Sequence, residues 1–421
     1  MRLKARWRAI APEQRPPEFR PDDPGEPSYR WGALDRQVSL AVSRGLQPLV
    51  TVWSAPDWAT PRGNALPGTL RPDPLEFHRF TRALVRRYSG TYEGLPRVRL
   101  WMAWNEPNLH LYLYPQVEGT TPVSPGLYRE LVNQFAAAVR TVSGNVVIAG
   151  GTAPFRDLGV TNVAWGPLGF MRALLCVART GARTCSSRID FDVWSHHPYT
   201  SGGPRRKAAL ADDASLGDLA EVKALLQAAV RNGTIRSRQP VRFWVTEFSW
   251  DSSPPDPYGV PINLHARWVA EAIFRMWQNG VSLTTWLMLR DEPFPQHPLQ
   301  SGLYFRGPTF AEDAPKPALS AFRFPFVAFP QHAKKRVFVW GRTPFGRAAT
   351  VLVEQQFRGG WKRLGVVRTD RHGIFQTRFS TSRTGFVRAR TLDRNERATP
   401  FSLANVRDRR FNPFGGAPLE P

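Results

Sequence analysis

The sequence predicts an α/β chain: a (β/α)8 TIM barrel followed by a small antiparallel β-sandwich. Three observations carry this. Strand-like and helix-like segments alternate from residue 3 to residue 327, the pattern of a parallel sheet with helices outside. Seven strands can be counted there, one short of the eight a barrel needs. Beyond residue 336 the segments are short, β-branched or alternating, and separated by turn signals.

The elements follow in order. Residues 3–7 read as a strand and 11–29 as a proline-rich loop. Residues 32–44 carry Leu34, Val38 and Val42 at helical spacing. Residues 46–53 (LQPLVTVW) form a strand, with Pro48 tolerable near its start. A helix spans 74–88, and a strand follows over 97–104. Ser124 as cap and Pro125 in the first turn start a helix with Leu127, Leu131, Phe135 and Val139 on one face. Strands are expected at 146–150, 189–195, 241–247 and 281–289. Helices are expected at 167–179, 216–230, 263–278 and 317–327. The boundaries are 1–328 for the barrel and 329–403 for a sandwich of immunoglobulin-like size. The tail, 404–421, is rich in arginine, proline and glycine and is expected to be poorly ordered.

At 421 residues and 42% hydrophobic, the chain can bury one large core and one small one. No run of 18 apolar residues occurs, so no membrane span is expected. The formal charge is +23, from 57 basic against 34 acidic residues, yet only seven of the basic residues are lysine. The arginines are scattered, without the arm or patch of a nucleic-acid binder, so no nucleic-acid partner is expected. An acidic polysaccharide stays open as a substrate. Cys176 and Cys185 either close a local disulfide, which implies an oxidising compartment, or remain two free thiols. Neither cysteine has a histidine at zinc spacing, which argues against a metal site. The opening MRLKARW carries no secretory signal.

The chemistry concentrates in two stretches. In residues 97–108 (RVRLWMAWNEPN), Val98, Leu100, Met102 and Trp104 share a strand face, and Glu106 is next on it. Pro107 biases Glu106 toward extended geometry. Residues 241–247 (VRFWVTE) repeat the pattern: Val241, Phe243 and Val245 share a face that Glu247 ends. Tryptophans flank both stretches, and sugar sites use flat aromatic faces. Paired carboxylates are what glycoside hydrolysis needs, one to protonate the leaving oxygen and one to attack the sugar or activate water.

These residues resemble the clan A glycoside hydrolases, the retaining (β/α)8 enzymes that include cellulases and β-xylosidases. In that clan an acid/base glutamate follows an asparagine at the end of the fourth strand, and the nucleophile ends the seventh. With residues 281–289 counted as the eighth strand, Glu247 falls on the seventh and Glu106, after Asn105, on the fourth. His197-Pro198-Tyr199 looks like the clan's His-x-Tyr after the sixth strand, where the tyrosine bonds the nucleophile. Trp286 matches the tryptophan platform on the eighth strand, and Arg2 resembles the arginine that supports the nucleophile. Where several members have a histidine after the third strand, this chain has Trp53-Ser54-Ala55-Pro56. The resemblance covers residues 2–327. Tryptophans 53, 58, 101, 104 and 250 are expected near the barrel mouth, some stacking on sugar and others packing.

The resemblance implies a cellulase-like retaining glycosidase acting on a carbohydrate, without cofactor or metal; a Cys176–Cys185 bridge would make it a secreted one. Glu106 is the expected acid/base and Glu247 the nucleophile. Asn105 is the expected partner of the sugar 2-hydroxyl, with His197, Tyr199, Trp286, Arg2 and Trp53 also at the substrate. A non-catalytic carbohydrate-binding protein on the same scaffold is the alternative, and a basic polyanion binder a third. Counting back from the eighth strand makes residues 3–7 the second, so the first strand–helix unit has no residues here. The expectation is an upstream segment supplying it, or replacement by residues 11–29. Comparing the activity of this chain with one begun upstream tests that expectation.

Overall fold

The computed structural model describes residues 1–156, 165–331, 333, 335–381, 384–406, 409–411 and 413. These fall into two compact units. One comprises Met1–Pro198, Ala208–Phe248 and Val281–Thr285; the other comprises Tyr199–Lys207, Ser249–Gly280 and Trp286–Pro421.

The first unit is built on seven parallel strands hydrogen-bonded in chain order. They are β1 (Arg2–Arg6), β2 (Leu49–Trp53), β3 (Leu100–Ala103), β4 (Val146–Thr152), β5 (Val193–His196), β6 (Arg242–Val245) and β7 (Val281–Thr284). Helices α1 (Gly32–Ser43), α2 (Pro74–Arg87), α3 (Ser124–Val139), α4 (Pro167–Leu175) and α5 (Leu219–Arg231) connect them. Leu49, Leu100, Met102, Ile148, Val193 and Trp244 fill the inside of the sheet. Arg2 on β1 bonds Glu247 just past β6, so the sheet curls back on itself. Among the described residues β1 pairs only with β2, and β7 only with β6.

Local chemistry sets the helix ends. The Asp73 carboxylate accepts from the N–H groups of Leu75 and Glu76 at 2.8 and 3.0 Å, and Pro74 takes the first position of α2, where no donor is needed. Ser124 departs from its expected capping role. Helix α3 starts at Ser124 without a side-chain cap, and the Ser124 hydroxyl donates to Gln116 Oε1 at 2.8 Å. Helix α4 stops at Leu175, short of residue 179, because Cys176 adopts φ 56°. Cys176 is bonded to Cys185, with Cα atoms 5.2 Å apart.

Among the described residues the second unit holds two larger antiparallel sheets beside two short strand pairs. β8 (Phe326–Gln331), β9 (Arg336–Arg342) and β12 (Ile374–Ser380) make one, in the order β8-β9-β12. The other runs β11-β10-β13-β14, from β10 (Thr350–Phe357), β11 (Gly360–Arg368), β13 (Phe386–Thr391) and β14 (Phe401–Ser402). Arg358 and Gly359, at φ 46° and 82°, make the tight β10–β11 turn, the positive-φ pair that such hairpins favour. Helices α6 (Ile262–Gln278) and α7 (Pro317–Arg323) share this unit's core: Phe274 packs with Val339, Trp340, Val351 and Phe375. The units thus divide the chain along a different line from the expected boundary at 328. A buried lysine crosslinks the connecting loops. Lys316 Nζ donates to Asp291 Oδ1, Ser252 Oγ and the Gln300 carbonyl at 2.7, 2.8 and 2.9 Å, using all three of its donors.

The expected tail falls in large part outside the described residues. Of those described, Phe411 donates its N–H to the Ser201 carbonyl and Pro413 accepts from the N–H of Asp251. Among the described residues no helix is long and apolar enough to cross a membrane.

Gly150 fixes how β4 passes β5. It sits at φ 89°, and a Cβ there would lie 2.3 Å from the Ser195 carbonyl oxygen, a backbone atom that cannot yield. Gly150→Ala should lower unfolding stability by about 2–4 kcal/mol, combining positive-φ strain with overpacking. A denaturant titration showing a loss below about 0.5 kcal/mol, within the range of neutral surface changes, would contradict this.

Candidate active site

The site forms just past the C-terminal ends of β2, β3, β5 and β6. The strands end earlier than the alternation expects. β3 stops at Ala103, and the chain then turns through Trp104 at φ 66° and Glu106 at φ 40°. The extended geometry expected of Glu106 ahead of Pro107 is therefore not adopted. The Glu106 N–H donates to the Gly151 carbonyl at 3.0 Å, which holds the residue in that uncommon conformation. On β6 it is Trp244, not Phe243 or Val245, that joins Leu100 and Met102 inside the sheet. β6 ends at Val245, so the turn beyond it, rather than strand alternation, places Glu247.

Arg2 links the parts. Its Nε donates to Thr51 Oγ1 at 3.0 Å, Nη2 to Asn105 Oδ1 at 2.6 Å, and Nη1 to the Thr246 carbonyl at 3.4 Å and to Glu247 Oε2. A guanidinium only donates, so the Asn105 oxygen faces Arg2 and its amide NH2 points the other way. On the opposite carboxylate, His197 Nδ1 lies 2.9 Å from Glu106 Oε1, and His197 Nε2 lies 3.1 Å from Thr246 Oγ1. Ser195 Oγ shares the Thr246 hydroxyl. One potential ligand atom from each of Glu106, His197 and Glu247 lies within 4.8 Å of the other two. Such a trio can also ligate a cation. Here Arg2 already sets a positive charge against Glu247, which favours reading the trio as acid–base groups. His197 is fully buried, while the Glu106 and Glu247 side chains are 12% and 14% exposed, open enough to meet a substrate.

Five of the eight expected residues therefore come together in the first unit: Arg2, Asn105, Glu106, His197 and Glu247. Trp53 lies beside them, its ring 5.3 Å from that of Tyr112. Burial, then the charges of Glu106 and Glu247, push the Tyr112 phenol well above its usual pKa. Tyr199 and Trp286 belong to the second unit, where Tyr199 is buried. The expected strand over 281–289 ends at Thr284, so Trp286 is not on it. Trp286 Nε1 donates to the Ser301 carbonyl at 2.7 Å, and the ring packs near His265 and Phe322. Trp101, Trp104 and Trp250 are fully buried; Trp104 Nε1 donates to the Tyr112 carbonyl and Trp250 Nε1 to the Gly202 carbonyl. Trp58 packs edge-on to Trp7 and Phe19.

Sequence reasoning missed Thr51, Tyr112, Ser195, Thr246 and the Gly150-Gly151 pair. The glycines had a signal, a doublet at a strand end. A Cβ on Gly151 would meet Met102 Cε at 2.1 Å and His197 Nε2 at 3.4 Å, so the bare backbone makes room for the histidine.

No family model matches the chain, and no curated protein matches it. Its fold is found among solved glycoside hydrolases. A family 39 glycoside hydrolase from the gut symbiont Bacteroides cellulosilyticus WH2 is 16% identical, with 90% of this chain and 73% of that one covered and a TM-score of 0.52. The family 1 b-glucosidase from Thermotoga maritima is 13% identical over 75% of this chain and 80% of that one, with a TM-score of 0.43. The Ignisphaera aggregans GH53 catalytic domain is 15% identical over 75% and 78%, with a TM-score of 0.39. At 16% identity the likeness to the family 39 enzyme is one of fold.

Two buried histidines make the stability pH-dependent. His196 Nε2 donates to the Ala214 carbonyl at 2.8 Å, so Nδ1 accepts from the Thr152 hydroxyl, also at 2.8 Å. Burial lowers the His196 pKa to about 4; burial and the Lys316 charge lower that of His265 to about 3. A base whose folded pKa is depressed contributes stability above its unfolded value of about 6.5, lost as pH falls toward the folded value. Unfolding stability should therefore drop between about pH 6.5 and 4, and both rings should stay neutral by NMR down to about pH 5. A ring titration centred near about 6.5 for either histidine would contradict this.

Proposed function

We propose that this chain is a retaining glycoside hydrolase. One observation carries the reading: an oxygen of Glu106 and an oxygen of Glu247 lie within 4.8 Å of one another, with Arg2 on Glu247 and His197 on Glu106. Retaining enzymes hold their two carboxyl groups ~5–5.5 Å apart, whereas inverting ones leave ~6.5–9.5 Å for a water. An oxygen pair this close fits the shorter, retaining spacing better than the longer one, which supports direct attack by Glu247. The fold shared with glycoside hydrolases supports the reaction class.

In the first step a Glu247 oxygen forms a bond to the anomeric carbon as the glycosidic C–O bond breaks. Glu106 gives its proton to the departing oxygen. Arg2 orients Glu247 and keeps positive charge beside it until that charge is consumed. In the second step Glu106 takes a proton from water, the water oxygen bonds the anomeric carbon, and Glu247 leaves as a carboxylate. Asn105, its oxygen turned to Arg2, offers its NH2 to the sugar 2-hydroxyl, a contact that strengthens in the transition state. His197 holds the Glu106 carboxylate in position. The Cys176–Cys185 bond supports an oxidising compartment and hence secretion. Two alkylatable thiols in the native, non-reduced protein would overturn that part.

Variants separate the roles. Glu247→Ala should abolish turnover of every aryl glycoside. Glu106→Ala should slow substrates with poor leaving groups by about 10²–10⁴-fold, while activated dinitrophenyl substrates, which need little protonation, lose far less in the first step. Equal losses on both substrate types would count against Glu106 as the acid. Sugar binding without turnover of any aryl glycoside would leave a carbohydrate-binding protein instead.

A further inference from the structure

A cavity opens in the first unit around the C-terminal end of β1. Its volume of ≈ 540 Å³ is in the range of small-ligand sites. Arg6, Arg8, Arg30, Glu13, Asp57 and Gln14 line it. Two of its three guanidinium groups are matched: Arg8 makes a two-pronged ion pair with Asp57, and Arg30 lies 3.7 Å from Glu13. Arg6 is exposed at the end of β1, and among the described residues no carboxylate pairs with it. Three positive and two negative groups leave one positive charge in the cavity, and it sits on Arg6.

Arg6 is also positioned. Its guanidinium lies 5.2 Å over the ring of Trp53. A cation–π contact of this kind holds the guanidinium while its N–H groups remain able to grip a planar anion with two bonds. The position continues the active site. Trp53 meets Tyr112 edge-on, and Tyr112 lies in the field of Glu106 and Glu247. Arg6, Trp53 and Tyr112 thus make a run of side chains that ends in the field of the two carboxylates. A neutral sugar hydroxyl can accept a hydrogen bond there, but a carboxylate or sulfate also matches the charge and binds more strongly.

We propose that this cavity is a subsite for an acidic sugar unit, recognised through Arg6, and that the substrate is a carboxylated or sulfated oligo- or polysaccharide. The proposal rests on the glycosidase reading for the word substrate, but its binding half can be measured separately. The full chain carrying Glu247→Ala, which cannot consume ligands, is titrated calorimetrically with matched pairs. Oligogalacturonate against its methyl ester tests a carboxylate, and a carrageenan oligosaccharide against its desulfated form tests a sulfate. The acidic member of at least one pair should bind about tenfold more tightly, as a charge-assisted bidentate contact implies. Adding Arg6→Gln should shrink that gap to threefold or less, while adding Arg44→Ala, at an exposed helix end, should leave it. No acidic preference in either pair, or equal weakening of both members by Arg6→Gln, overturns the proposal. Turnover is scored apart, on the wild-type chain. Acidic preference without turnover removes the glycosidase reading and keeps the subsite; turnover without acidic preference does the reverse.

Discussion

The arrangement depends on where one guanidinium can reach. Arg2 lies on the first strand of a curled sheet, and its donors end on Thr51, Asn105, Thr246 and Glu247, which belong to or follow the second, third and sixth strands. Its side chain is only 8% exposed, so its charge is expensive to leave unmatched. Glu247 balances that charge, and the fork geometry fixes Asn105 at the same time. Removing Arg2 would free both the expected nucleophile and the residue beside the expected acid. The lip is held by strain as well. Ser54, Trp104 and Glu106 sit at φ 65°, 66° and 40°, conformations costing about 1–3 kcal/mol each that persist only where surrounding contacts impose them.

Much of this was legible in the sequence. The parallel sheet showed because its strands are apolar runs separated by helical periodicity. The pair Glu106 and Glu247 stood out because each closes an apolar strand, and Arg2 was placed through family resemblance alone. What stayed hidden was three-dimensional. Strand alternation was extended past the true strand ends, where positive-φ turns re-aim the side chains. Within β6 it is Trp244, rather than Phe243 and Val245, that joins the inside of the sheet, although Glu247 still reaches the site. Thr51 and Ser195 are ordinary strand residues and Thr246 merely follows a strand; their partners come from strands and strand ends distant in the sequence.

The tryptophans show the same limit from the other side. Their number near the strand ends pointed to sugar platforms, yet Trp101, Trp104 and Trp250 are core. Burying such large rings stabilises the scaffold whether or not a sugar is bound, and composition does not separate the two uses. The grouping of helix α6 with the sandwich strands was also beyond local reading. Its apolar face packs with Val339 and Trp340, which lie some sixty residues later in the chain.

The account stands on Glu247 as a nucleophile rather than a base for water. The most direct measurement is proton NMR of the first-formed sugar from any glycoside the protein turns over. Attack by Glu247 and then by water inverts the anomeric carbon twice, so the initial product should carry the anomeric configuration of the substrate. An initial product of the opposite configuration would contradict the account.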